Sequence, residues 1–260
     1  MIYIKTEKEI DLMRKGGKIL AEILRDLEKE VKEGVTAADL NDKAAELCKK
    51  HDVIPAFLNY QPAGAPFPFP ACLCVSVNDE IVHGIPGNRI LKNGDMVVID
   101  MGIIYKKLVL DSATTVIVGG LEKADSTAKA MLSACKIALD AGIAVCKPGV
   151  KTGDIGFAIE QAMKKASKNF IFEFAQDLGG HGVGKHVHED PFIPNYGMKG
   201  QGVALKAGMV IAIEPILNEG KGAIMVANDG FTYKTVDGKR SCHFEHTVAI
   251  TEDGVEVLTI

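Results

Sequence analysis

The chain has 260 residues, 47% of them hydrophobic and 25% charged, with a net charge of −4. This is the composition of a globular protein with ample core, and it carries no electrostatic footprint for a specific nucleic-acid partner. No stretch approaches the roughly 20 continuous apolar residues of a membrane span. Met1–Leu20 lacks the uninterrupted apolar segment of a secretory signal, and the six cysteines (48, 72, 74, 135, 146, 242) show neither disulfide nor metal spacing. Reduced thiols in a cytoplasmic protein are therefore expected.

Ile10, Met13, Leu20, Leu24, Leu27 and Val31 recur on one face and predict a helix over about Glu7–Lys32, with Gly17 leaving a gap in that face. A second helix is predicted over Ala37–His51. Short β-branched runs bounded by Gly, Pro, Asn and Asp then predict strands at Cys72–Val77, Met96–Ile104 and Leu108–Val118. The order repeats, with helices at Lys123–Cys146 and Thr152–Ser167. Strands follow at Phe170–Leu178, Met209–Leu217, Thr232–Val236 and Cys242–Thr251.

The repetition is written into the residues. Val31–His51 and Cys146–Ala166 align at an offset of 115, sharing Lys, Gly, Val, Asp and a closing Lys-Lys. Leu91–Asp100 (LKNGDMVVID) and Leu205–Glu214 (LKAGMVIAIE) align without gaps at an offset of 114. Two matches in the same order at nearly one offset point to a duplication, with halves of about 1–118 and 119–260. Helices packed on a mainly antiparallel sheet give an α+β fold with pseudo-twofold symmetry. No Ser/Pro-rich linker divides the halves, so one domain over 1–260 with a shared sheet is expected.

The acids are placed where strands should be apolar. With a turn centred on Tyr105–Lys106, facing residues have numbers summing to 211 and Asp100 lies across from Asp111. Like charges facing each other on a sheet are destabilising, and buried carboxylates must protonate or find a cation. Tyr-Lys is a poor two-residue turn, so another register, with one Asp facing solvent, stays open. The repeat supplies two further acids: Glu214 ends the strand equivalent to that of Asp100, and Glu245 lies in the last long strand. A pseudo-twofold would bring four carboxylates together, which favours two divalent cations over one.

Histidines complete the pattern. Leu178–Pro191 reads LGGHGVGKHVHEDP, in which glycines around His181 permit a tight backbone path. This is not a helical HExxH pair, and a loop carrying His181 and His188 beside the acids is expected. His83, in NDEIVHGIPG, reads either as a turn residue or as a site residue at a strand end.

Taken together, NDEIVHGIPG, GDMVVIDMG followed by Asp111, GGHGVGKHVHEDP, MVIAIEPI and FEHTVAIT resemble the motifs of the methionine aminopeptidases, in order and over nearly the whole chain. The resemblance is to the short type I bacterial form and implies the pita-bread fold. It implies a cytoplasmic, monomeric enzyme that removes the initiator methionine from peptides and nascent chains, with transient ribosome contact, when the second residue is small. It also implies two divalent cations, Co, Mn, Fe or Zn, which activate a bridging hydroxide. Carried over residue by residue, the metal ligands are Asp100, Asp111, His181, Glu214 and Glu245, with Asp111 and Glu245 bridging. His83 and His188 contact substrate and stabilise the tetrahedral intermediate, Glu214 shuttles a proton, and Phe57, Cys74 and Phe231 line the methionine pocket. The chain departs from the pattern in a longer, proline-rich Gln61–Phe69 loop, in Val187 where Phe is frequent, and in Phe231 where Trp is usual. The X-Pro aminopeptidases and prolidases share the fold and metal set but usually carry a large extra domain. Metal-free binding relatives have typically lost ligands that stand here.

Overall fold

A computed structural model describes residues 1–62 and 64–260; Ala63, within the proline-rich loop, lies outside the described residues. Among the described residues, four helices, α1 (Glu7–Glu30), α2 (Ala37–Lys50), α3 (Ser126–Ala144) and α4 (Thr152–Ser167), pack on a nine-stranded sheet whose pairings are antiparallel. The α+β class expected from the sequence is the fold observed.

Capping sets the helix starts. Thr6 accepts from the Glu9 amide while the Glu9 carboxylate accepts from the Thr6 amide, and Thr36 with Asp39 repeats the arrangement for α2. The first helix ends two residues before its predicted limit, and α3 begins at Ser126, behind a short 3-10 turn at Leu121–Lys123. The gap left by Gly17 in the apolar face has a use. A Cβ there would meet the Leu258 carbonyl oxygen at 2.1 Å, so the C-terminal segment crosses α1 at that point.

The duplication is visible in the backbone. Gly34 and Gly149 take φ values of 89° and 88°, and Gly94 and Gly208 take 88° and 84°. Each half closes its helix pair against the Leu-Lys-x-Gly segment by an isolated bridge, Thr36 with Ile90 and Lys151 with Ala204. At the centre of the sheet four strands run in the order Met96–Tyr105, Leu108–Ile117, Glu245–Ile250, Val210–Ile213. Two come from each half, and the pseudo-twofold passes between the inner pair. Val97, Ile99, Met101 and Ile103 join the core of α1, and Ile211, Ile213, Val248 and Ile250 join that of α3 and α4. Strand alternation therefore turns Asp100, Glu214 and Glu245 to the opposite face.

Several strand expectations need correction. The hairpin turns on Lys106–Lys107, with φ of 48° and 71°, not on Tyr105–Lys106. Both central residues take the left-handed conformation that a two-residue turn matched to strand twist requires. Asp111 consequently faces Gly102 and Asp100 faces Ala113, so the two acids are diagonal neighbours on one face. The run Met209–Leu217 breaks into Val210–Ile213 and Ile216–Asn218 because Pro215 has no N–H to give. The run Cys242–Thr251 breaks at Phe244. Of Phe170–Leu178 only Glu173–Phe174 is strand, and the chain turns out of extended geometry at Asp177, φ 61°.

The segment around His181, expected as a loop, is a strand, Gly179–Gly182, between Val210–Ile213 and Glu189–Pro194. Glycine there serves close approach: a Cβ on Gly180 would meet the Ala212 carbonyl oxygen at 2.2 Å, and one on Gly182 that of Asp190 at 2.3 Å. Gly180→Ala should therefore cost roughly 1–3 kcal/mol by overpacking, read as a fall in Tm of about 2–4 °C per kcal/mol. An unchanged Tm would contradict this account of the strand.

Candidate metal centre

The break points and the register set the site. Asp100 faces Ala113, and Ala113 faces Glu245 on its other side. The pairing of His246 with Ile213 extends by one residue to set Glu245 beside Glu214. Three acids thus lie in one cross-strand row with the small Ala113 among them, and Asp111 projects from the same face one step along. The inner strands are locked by Thr247, whose hydroxyl accepts from the Asp111 amide (3.0 Å) and donates to its carbonyl (2.6 Å). Ser112 Oγ donates to the Glu245 carbonyl at 2.7 Å.

All four carboxylates are buried, and no Lys or Arg lines the cavity of about 310 Å³ that they share. Burial pushes Asp100 up to about 7. It raises Asp111 and Glu245 well above the ordinary range, with the neighbouring acids adding to the effect. Asp100 Oδ1, Asp111 Oδ1 and Glu245 Oε1 are buried without a hydrogen-bond partner. Oxygens of Asp111 and Glu245 and a ring nitrogen of His181 lie within 4.8 Å of one another. Orphaned, inward-facing carboxylate oxygens beside an imidazole fit a divalent cation.

The histidine geometry agrees. His181 Nδ1 is 2.9 Å from the Gly182 carbonyl oxygen, to which it donates, leaving the Nε2 lone pair free toward the acids, 3.5 Å from Glu214 Oε1. Burial lowers His83 to about 4 and His188, beside His181 and His83, to about 3. Both are neutral near pH 7, so each ring carries one N–H. His83 takes φ 59°, a left-handed conformation uncommon for a side chain of this size and frequent at functional sites. It stands at the end of the Glu80–Val82 strand, so a strand-end position is the one observed.

All ten residues named from the sequence, Phe57, Cys74, His83, Asp100, Asp111, His181, His188, Glu214, Phe231 and Glu245, line this one cavity. Cys74 pairs across strands with Asp100, and burial keeps its thiol protonated, so it offers surface and not a thiolate. The proline-rich loop does reach the pocket: Phe67 and Phe69 pack edge-on against Phe231, with ring centroids at 5.1 and 5.3 Å.

The sequence reading missed three features. Tyr60 Oη lies 3.1 Å from His188 Nδ1. A buried ion pair, Lys5 Nζ to Glu189 Oε2 at 2.5 Å, anchors the loop of His188, since Glu189 also accepts from the Lys185 and His186 amides. His243 is buried beside two of the acids. It stands two residues before Glu245, a spacing that puts both side chains on one face of a continuous strand and so was available as a signal in the sequence.

Residues 11–252 match the model of metallopeptidase family M24. Methionine aminopeptidase 1 of Bacillus subtilis is 41% identical over 259 residues, 100% of this chain and 99% of that one. The methionine aminopeptidase of Aquifex aeolicus is 43% identical over 263 residues, 99% and 98% of the two chains. The solved methionine aminopeptidase of Thermotoga maritima superposes with a TM-score of 0.92 at 42% identity, covering 100% and 99%. A prolidase from Pyrococcus horikoshii, with a TM-score of 0.74 at 23% identity over 99% of this chain and 63% of that one, shares the fold. The chain belongs to metallopeptidase family M24 and is by class a metal-dependent peptide hydrolase. Its full-length relatives place it, within that family, among the methionine aminopeptidases, with their pita-bread fold.

The raised carboxyls set a pH dependence. In the metal-free protein, a carboxyl with raised pKa holds a proton that the unfolded chain has already lost. Asp100, ordinarily at 3.8 and here at about 7, therefore makes the metal-free fold less stable as pH rises between those values. Asp111 and Glu245 act in the same direction. Bound cations favour the ionised acids, so the gain in Tm on adding manganese should grow from about pH 5 to about pH 7. Scanning calorimetry with and without the ion checks this; a gain that shrinks over that range contradicts it.

Proposed function

We propose that the chain removes N-terminal methionine from peptides and nascent chains with a small second residue, and that Asp100, Asp111, His181, Glu214 and Glu245 hold two divalent cations for the task. The observation that carries this reading is the convergence of four buried carboxylates and one imidazole, without a neutralising Lys or Arg, at the floor of an apolar-walled cavity. Cations held there would polarise the scissile carbonyl and supply hydroxide near neutral pH.

The remaining roles fall to the chain's own groups. The walls offered by Phe57, Cys74 and Phe231 suit an unbranched thioether. His188, neutral and buried, donates an N–H to the oxygen on which negative charge develops, and His83 orients the peptide amide. Glu214 takes a proton from the attacking water and passes it to the leaving amine. Each half contributes two of the acids, which supports residues 1–260 acting as one catalytic domain. Among the described residues no helix is long and apolar enough to cross a membrane, which agrees with action on nascent chains in the cytoplasm.

Metal-stripped protein titrated with Mn, Fe, Co or Zn salts should hydrolyse Met-Ala-Ser and leave X-Pro peptides intact. Activity confined to X-Pro peptides would replace this reading by a dipeptidase one, and no hydrolysis under any metal would remove it. His188→Ala should lower kcat by about a hundred- to thousandfold, the effect of losing an oxyanion donor, with KM little changed. A variant with full kcat would take that role from His188. A Met-Ile peptide should be cleaved far more slowly than Met-Ala-Ser, because Ile is large and β-branched; equal rates would contradict the small-residue rule.

A further inference from the structure

His243 has no part in the chemistry described so far, yet it is 1% exposed, and neither of its ring nitrogens has a well-formed hydrogen bond. A buried imidazole with both nitrogens unpartnered is costly unless it serves something. Its Nε2 points at the acids, 3.3 Å from Glu214 Oε2 and 3.8 Å from Glu245 Oε2. The other oxygen of Glu214, Oε1, faces His181 Nε2 at 3.5 Å. The Glu214 carboxylate thus lies between two imidazoles, with one oxygen toward the His181 side and the other toward His243.

The backbone fixes both partners. Thr115 Oγ1 accepts from the His243 amide at 3.0 Å and donates to the His243 carbonyl at 2.6 Å. The Glu214 carbonyl accepts from Asn195 Nδ2 at 3.0 Å, and that of Pro215 from Cys135 Sγ at 3.2 Å. Neither main chain is free to move, so the relative position of imidazole and carboxylates is built into the fold.

We infer that His243 is a positioning residue for the metal centre: with its proton on Nε2 it holds the outer oxygen of Glu214, so that this acid presents its remaining oxygen to a cation. The inference rests on the proposal that this acid is a ligand. Groups that orient ligands in this way typically change metal affinity by about ten- to a hundredfold when removed. A second imidazole in the ligand set is the competing assignment, and it predicts that Nε2 gives up its proton to the metal.

Metal affinity separates these outcomes without reference to turnover. By calorimetry on the metal-free full chain, His243→Leu should bind zinc and manganese about ten- to a hundredfold more weakly than wild type. His243→Gln, whose amide N–H has similar reach, should recover most of the loss. Wild-type affinity in His243→Leu, or equal loss in both variants, overturns the inference. A second measurement needs no folded variant other than the conservative one. In 15N-histidine-labelled wild type, the His243 resonance, assigned by its absence in His243→Gln, should keep a protonated Nε2 when zinc is added. Loss of that proton on zinc binding makes His243 a ligand and overturns the positioning role. Wild-type protein that binds no divalent ion at all removes the metal reading itself, an outcome distinct from both of these.

Discussion

Four carboxylates occupy one face of four adjacent strands, and three of them stand in a single cross-strand row. Neighbours in such a row, here Glu245 and Glu214, are within about 5 Å, a distance at which like charges destabilise a sheet, and Asp100 and Asp111 are diagonal neighbours on the same face. Removal from water makes the repulsion worse, and the raised pKa values of Asp100, Asp111 and Glu245 express that cost. Metal-free, Asp100, Asp111 and Glu245 favour their protonated forms at the very place where the sheet is most tightly tied, by Thr247 and Ser112. Cations turn the same repulsion into cohesion. The sheet makes the site by forcing charges together, and the site returns stability to the sheet only when cations are bound.

The elements around the row follow from that need. The glycine strand lets the main chain carrying His181 press against Ala212 and Asp190, which brings an imidazole within reach of the acids with no side-chain layer between. His83 and His188 are kept neutral by burial, so they add donors without adding charge that would compete with a cation. The buried Lys5–Glu189 pair shows the opposite solution to the same problem. There a single acid is neutralised by an ammonium and its spare oxygen capacity is spent on two backbone amides, and the group organises a loop instead of a metal.

Much of this could be read from residues. The four helices, the hairpin carrying Asp100 and Asp111, the duplication and the convergence of the acids all followed from apolar periodicity, an offset repeat and the oddness of acids in apolar strands. What could not be read depends on single backbone torsions and on contacts distant in sequence. The hairpin register hinged on Lys106 and Lys107 adopting left-handed geometry, which lysine does not advertise. GGHG has no strand propensity, and its extended form is imposed by the neighbours on either side. The fate of Met209–Leu217 was written in Pro215, a residue whose consequence was overlooked. The two-residue spacing of His243 and Glu245 was legible, but the approach of His243 to Glu214 depends on a contact between strands distant in sequence.

The duplication also explains why neither half suffices. The first half supplies two aspartates, short acids rooted deep in long strands. The second supplies two glutamates, whose longer side chains start at strand breaks and reach back toward the same centre. Each half alone would have a sheet edge where its inner strand now pairs with its counterpart, and two buried acids with too few other donors for a dication. The imidazoles break the symmetry: His181 and His243 both come from the second half and both face Glu214. The two sides of the cavity that a twofold would make equivalent are therefore chemically distinct, since both of these imidazoles face Glu214. On the function proposed above, a site that binds an amine, polarises a carbonyl and delivers a nucleophile in one encounter would have use for that difference.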